Sequence, residues 1–167
     1  MYAEHKLAKG NFIKEGVLCK SLGGVDVPYL IVSSRILTEP RTYMNIKQDE
    51  FFEATTKISL PLYKKKKQIV VDARVHPGES NASFMMQGFI RFITGNSMPA
   101  RELRKRCVFK IVPMVNTDGV IVGNYRTCFS GNDLNRKYHN PDESLHPTVN
   151  NIKELVSNII LSNGNLE

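Results

Sequence analysis

Gln68-Ile69-Val70-Val71-Asp72-Ala73-Arg74-Val75-His76-Pro77-Gly78-Glu79-Ser80-Asn81 decides how this 167-residue chain is read. Ile69-Val70-Val71 is a short continuous apolar run, as expected of an interior strand covered on both faces. From Ala82 to Thr94 the pattern turns helical, with Phe84, Met85, Gly88, Phe89, Phe92 and Ile93 as the expected core positions, Asn81 as cap and Gly95 as stop. His76 and Glu79 therefore sit between a buried strand and a helix, three residues apart, where both can turn onto one small volume. An imidazole nitrogen and a carboxylate are two of the three protein ligands of a hydrolytic zinc site. Chance supplies His-x-x-Glu often, and it is the strand-end setting that gives the pair weight.

Outward from this loop, Val108 to Val115 reads as a second buried strand running into Asn116-Thr117-Asp118-Gly119. Strand, helix and strand form a parallel crossover, so His76 and Asn116 are expected at the same sheet edge, where open α/β sheets bind ligands. Upstream, Lys14 to Leu22 and Val27 to Ser33 make a hairpin about the Gly23-Gly24-Val25-Asp26 turn. Between Ser34 and Lys67 only a short helix over Gln48 to Thr55 is expected, punctuated by Pro40 and Pro61. Arg101 to Arg106 extends or follows the first helix with a solvated basic face. Val120 to Tyr125 reads as a short turn of helix, Thr127 to Asn135 as a loop, and Thr148 to Leu161 as a closing helix ended by Asn163-Gly164.

The totals fit one soluble domain over residues 1–167: 41% hydrophobic and 23% charged residues are ordinary for a globular protein. No apolar run approaches the ~20 residues of a membrane span. The start, Met1-Tyr2-Ala3-Glu4-His5-Lys6, lacks the apolar core of a secretion signal. Cys19, Cys107 and Cys128 are too few and scattered for a disulfide framework or a metal knuckle, and read as reduced thiols in the cytoplasm. A formal charge of +7 steers acidic partners. Nucleic acid is not expected, because neither zinc-finger spacing nor an aromatic-basic recognition motif is present. Lys64-Lys65-Lys66-Lys67 reads as a solvated loop edge that discourages edge pairing.

Two arginines downstream could carry chemistry. Arg136 follows Asn135, and a guanidinium with a neighbouring amide is suited to gripping a free carboxylate. Arg126 follows Gly123-Asn124-Tyr125, and a cation near a metal can stabilise charge developing on an attacked carbonyl oxygen. Taken singly, either arginine is better explained by a surface ion pair; beside the strand-end His and Glu that reading weakens.

In order and spacing, VHPGESN (75–81), VPMVNTDGVIVGNYR (112–126) and GNDLNRKY (131–138) closely resemble the zinc metallocarboxypeptidases. The nearest match is the cytosolic subfamily, which trims glutamates from the C-terminal tails of tubulin and other proteins. The resemblance runs from Gln68 to Tyr138 and, more loosely, over Lys14 to Ser33 and the helix after His146-Pro147-Thr148. It implies the N-terminal half of a three-layer α/β/α domain with a mixed, mostly parallel central sheet. It also implies a bound Zn2+ held by His76 and Glu79, Arg126 as the oxyanion-stabilising catalytic residue, and Asn135 and Arg136 on the substrate's terminal carboxylate. Acidic, tubulin-like tails are the implied partners, and the cytoplasm, near microtubules or cilia, the implied location.

Two residues depart from the pattern: Thr117 stands where the family usually has Pro, and Asn132 where the subfamily usually has Arg. The family's third zinc ligand, a His, its pocket Tyr and its general-base Glu are expected beyond Glu167; His139, near the Asn-Arg loop, and His146, which reads as a helix-entry residue, are the minor alternatives for that ligand. An incomplete reading of a longer gene, a fragment completed by a second chain or C-terminal half, and an inactive short relative are the competing expectations. A non-catalytic binder of acidic tails and a zinc acylase of the aspartoacylase type remain as alternative functions.

Overall fold

The computed structural model describes residues 13–34 and 66–163, the side chains of residues 162 and 163 apart. The helix expected over Gln48 to Thr55, and His5, Lys64 and Lys65, lie outside the described residues.

Strands β1 (Ile13–Lys20) and β2 (Asp26–Val32) form the expected antiparallel hairpin. Its turn closes through Gly24 N–H to the Ser21 carbonyl at 2.9 Å, with Gly24 at φ 80°, a conformation that suits glycine. Strand β3 (Lys67–Asp72) leads through the His76 loop into helix α1 (Ser80–Thr94), then α2 (Met98–Arg106), and returns as β4 (Cys107–Val112). Beyond Pro113, which has no N–H to offer a ladder, follow α3 (Thr117–Val122), a 3-10 turn at Leu134–Arg136, and α4 (Pro147–Asn163).

The sheet order is β1-β2-β4-β3, with β3 and β4 parallel and the other two pairs antiparallel. The sheet is mixed, as expected, but among the described residues antiparallel pairs outnumber the parallel one, because the hairpin joins β4 antiparallel instead of through a crossover.

All six residues of β4 are buried, and their side chains alternate between two cores. Val108 and Val112 meet Val27, Tyr29, Ile31 and, from α4, Val149, Ile152 and Leu155. Phe109 and Ile111 meet Leu30, Val32 and, from α1, Met86, Ile90 and Ile93. Helices therefore cover both faces of the sheet. Complete burial of Val108, Ile111 and Val112 contributes roughly 1.5–3 kcal/mol apiece.

The expected core face of α1 is corrected. Phe84 and Met85 are 72% and 73% exposed and Phe92 is 43% exposed, while Met86 and Ile90 are buried in their place. Ile93 is in the core and Phe89 lies against Phe109 edge-to-face, ring centroids 5.9 Å apart. Two basic expectations are corrected as well. Arg104 is buried, donating from Nη1 to the Ile93 carbonyl at 2.5 Å and to the Gly95 carbonyl at 2.8 Å. Lys66 turns inward, its Nζ donating to Ser33 Oγ at 2.8 Å and the Ser34 carbonyl at 2.9 Å.

Candidate active site

The site lies at the carboxyl ends of the parallel pair. Past Asp72 the two strands stay tied: Ala73 N–H donates to the Val112 carbonyl, and Val115 N–H to the Ala73 carbonyl at 2.9 Å. Asn116 caps α3, its Oδ1 accepting from Gly119 N–H at 3.0 Å, while its Nδ2 donates to the Val75 carbonyl at 3.2 Å. Asn116 and the residue before His76 therefore emerge together, as the crossover predicts.

Tight backbone packing sets the loop that follows. Gly78 N–H donates to the Tyr125 carbonyl at 2.7 Å. A Cβ on Gly78 would stand 2.8 Å from that same oxygen, so only glycine lets Pro77-Gly78 lie against the segment carrying Arg126. Helix α1 begins two residues before the position expected for it. Glu79, not Asn81, is its N-cap, and the Glu79 side chain makes no capping bond. The carboxylate turns to His76 instead.

His76 is buried, 7% exposed, with a carboxylate oxygen at each ring nitrogen. Glu79 Oε1 lies 2.9 Å from Nδ1 and Asp133 Oδ1 lies 3.1 Å from Nε2. A neutral imidazole has one N–H to give. With that proton on Nε2 and donated to Asp133, the Nδ1 lone pair on the Glu79 side is left to bind a cation. A carboxylate behind the imidazole, fixing which nitrogen is free, is how proteins orient a metal-binding histidine.

Asp133 is the hub that the sequence reading missed. Besides His76 it accepts from Arg126 Nε at 2.8 Å and from the Asn135 backbone N–H at 3.0 Å, and Arg136 Nε stands 4.0 Å from Oδ2. Burial pushes its carboxyl upward, but the Asn135 N–H, His76 and the Arg126 guanidinium outweigh that and hold it below the usual carboxylate range. The available signal was composition: Asp133 is the single acid between Thr127 and Tyr138. Four of the five residues marked from sequence thus meet one carboxylate, and the fifth, Glu79, joins them through His76. Asn135 and Arg136 are exposed, the Glu79 and Arg126 side chains are 48% and 46% exposed, and only His76 of the five is buried.

The loop is anchored below by Tyr138, whose hydroxyl donates to Asp72 Oδ2 at the end of β3 at 3.1 Å. Asn132, which replaces the subfamily's Arg, is tied into its own loop, donating from Nδ2 to Ser130 Oγ at 2.9 Å.

His76 and Glu79 have the donor chemistry for zinc and lie side by side, Nδ1 2.9 Å from Oε1, so they fit as two of three protein ligands. Among the described residues no third His, Cys, Asp or Glu completes the group. His146 is buried elsewhere, its Nδ1 accepting from Asp142 N–H at 3.1 Å, and His139 is exposed.

A histidine–carboxylate pair at the ends of parallel strands, with cations beside it, is the kind of arrangement a metal-dependent hydrolase uses. Residues 7–156 match the zinc carboxypeptidase (peptidase M14) family, and the chain belongs to it. It is 39% identical over 145 residues to cytosolic carboxypeptidase 1 of Xenopus laevis, covering 87% of this chain and 10% of that protein. It is 40% identical over 153 residues to cytosolic carboxypeptidase 2 of Xenopus tropicalis, covering 92% of this chain and 14% of that one. The chain therefore spans about a tenth to a seventh of the length of these relatives. Among solved structures, a metallo-carboxypeptidase from Burkholderia cenocepacia superposes with a TM-score of 0.69 at 24% identity, over 95% of this chain and 36% of that one, and shows the shared α/β fold.

Proposed function

We propose that this chain contributes the substrate-gripping side of a zinc-dependent carboxypeptidase site that removes C-terminal residues, glutamate foremost, from acidic protein tails such as tubulin's. The observation that carries the reading is the convergence of His76, Arg126, Asn135 and Arg136 on Asp133, with Glu79 on the other ring nitrogen of His76. Zinc held by His76 and Glu79, with a third donor from outside the described residues, would polarise the peptide carbonyl and activate water.

The rest is the work of the chain's own side chains. Arg136 and Asn135 are exposed at the rim, where a guanidinium can take a terminal carboxylate bidentately and an amide can complete the grip. That grip restricts cleavage to the last residue. Arg126, held on the other oxygen of the carboxylate that takes His76, would donate to the scissile carbonyl oxygen as negative charge builds there. Asp133 holds His76 and Arg126 in register. The net charge of +7 favours encounter with acidic tails. The relatives are named cytosolic, which supports a cytoplasmic setting, with microtubules or cilia following from a tubulin substrate.

The two-donor set favours a second reading, a binder of acidic C-termini that performs no hydrolysis. Zinc per chain and glutamate released from a polyglutamate peptide separate the two. Release that needs zinc, and that disappears when the peptide's C-terminus is amidated, supports the carboxypeptidase. Zinc-free protein that still binds the free-carboxylate peptide, without release, supports the binder.

A further inference from the structure

Arg74, two residues before His76, has φ 58° and is the one non-glycine residue with positive φ among those described. In that left-handed region an L side chain crowds the following carbonyl, so the conformation persists only where its surroundings impose it. The backbone is held on both sides: the Ala73 carbonyl accepts from Val115 N–H at 2.9 Å and the Arg74 carbonyl from Asn116 N–H at 3.2 Å. From this bend the guanidinium reaches forward along its own chain. Nε donates to the Pro77 carbonyl at 2.8 Å and Nη1 to Ser83 Oγ at 2.6 Å.

Those two acceptors bracket the metal-donor segment. Pro77 lies between His76 and Glu79, and Ser83 lies in the first turn of α1, whose N-cap is Glu79. Glu79 makes no capping bond with its side chain, so at the cap only the backbone bonds of Glu79, Ser80 and Ala82 N–H join the helix start to the loop. We propose that Arg74 is the positioning residue for the donor pair. Its guanidinium ties the Pro77-Gly78 peptide to the first turn of α1 and so sets the separation of His76 Nδ1 and Glu79 Oε1. This rests on reading that pair as zinc donors.

Glycine separates positioning from a merely structural role, because Arg74→Gly relieves the crowded conformation and removes the clamp together. Arg74→Ala removes the clamp and keeps the crowding. The reporters are the amides of Glu79 and Ser80, which donate to the His76 and Gly78 carbonyls at 3.2 and 2.9 Å. Arg74→Ala is expected to lower the melting temperature, and Arg74→Gly to recover most of that loss. Both should speed hydrogen exchange at Glu79 and Ser80 by about tenfold or more, the loss of a charged hydrogen bond. Both should also weaken Zn2+ binding by roughly 10–100-fold, as for other residues behind metal ligands. Arg74→Lys, with one compact donor group, restores these readouts in part.

Wild-type exchange at Glu79 and Ser80 in Arg74→Gly overturns the proposal. A wild-type chain that takes up no Zn2+ overturns the donor reading and the purpose assigned to the clamp. The exchange rates, which need no metal, then still decide whether the clamp orders the loop.

Discussion

Asp133 Oδ1 lies 3.1 Å from His76 Nε2, while the other oxygen of the same carboxylate takes Arg126 Nε at 2.8 Å. One acid thus orients both the imidazole that faces Glu79 and the guanidinium assigned to the carbonyl oxygen. Asp133→Ala leaves His76 free to rotate or to change tautomer, and releases Arg126 to solvent. Zn2+ affinity, read by competition with a weak chelator, should fall by about 10–100-fold. Unchanged affinity would mean that the carboxylate only neutralises Arg126.

Two glycines answer the same substitution with opposite signs. A Cβ at Gly78 meets the Tyr125 carbonyl at 2.8 Å as well as its ring, and the backbone there cannot retreat without losing the 2.7 Å hydrogen bond. Gly78→Ala should cost about 1–3 kcal/mol of stability, the usual range for overpacking. Gly88 lies on the exposed side of α1 with nothing within 4 Å of an added Cβ. There alanine should stabilise the protein by roughly 0.5–1 kcal/mol, by helix propensity and a less flexible unfolded chain. Urea midpoints of the two variants decide the point. A Gly78→Ala protein as stable as wild type would show that the loop is looser than its contacts imply.

Buried Arg104 makes the third case. Its Nη1 satisfies the carbonyls of Ile93 and Gly95 where α1 ends, at 2.5 and 2.8 Å, and the last carbonyls of a helix have no partner within it. Arg104→Met keeps a long apolar stem but strands those oxygens, at an expected cost of about 1–3 kcal/mol. Arg101→Met, at an exposed position on the same helix, should fall within about 0.5 kcal/mol of wild type. Equal denaturation midpoints for the two variants would overturn the assignment.

These cases mark where the sequence was legible. The apolar run at Ile69-Val70-Val71, the strand composition of Val27 to Ser33 and the turn at Gly23-Gly24 carry strong local signals, and the strands stand where those signals put them. The His76 loop was legible because its residue types, spacing and flanking elements agree. Helix α1 was harder, since Phe84, Met85, Met86, Phe89, Ile90, Phe92 and Ile93 surround most of its circumference. Periodicity could not say which face the sheet would take, and it took Met86, Ile90 and Ile93. Arg104 and Lys66 were hidden inside basic runs, where a long side chain's choice between water and a buried carbonyl depends on tertiary geometry. Asp133 was missed for a related reason: its partner His76 is 57 residues away, and no local pattern links them.

His146 supplies a pH dependence. It is buried at the start of α4, lining a small cavity with Thr117 and Asp118, and its Nδ1 accepts from Asp142 N–H. Burial first, and then the Lys137 charge, lower its pKa from the ordinary 6.5, against an opposing pull from the Asp142 carboxylate. A base whose folded pKa is depressed binds protons more readily unfolded, so its contribution to stability is complete above about pH 6.5 and is lost as pH falls toward the folded value. The direction agrees with geometry, because protonating Nδ1 destroys the acceptor that Asp142 N–H uses. Urea midpoints taken between pH 7.5 and 5 should therefore fall on acidification, and fall less in His146→Gln, whose carbonyl oxygen can accept a hydrogen bond but does not titrate. Midpoints that decline in parallel for the two proteins would assign the acid sensitivity to other groups; Asp133, whose carboxyl is held below the usual range, stays ionised across this window and is not one of them.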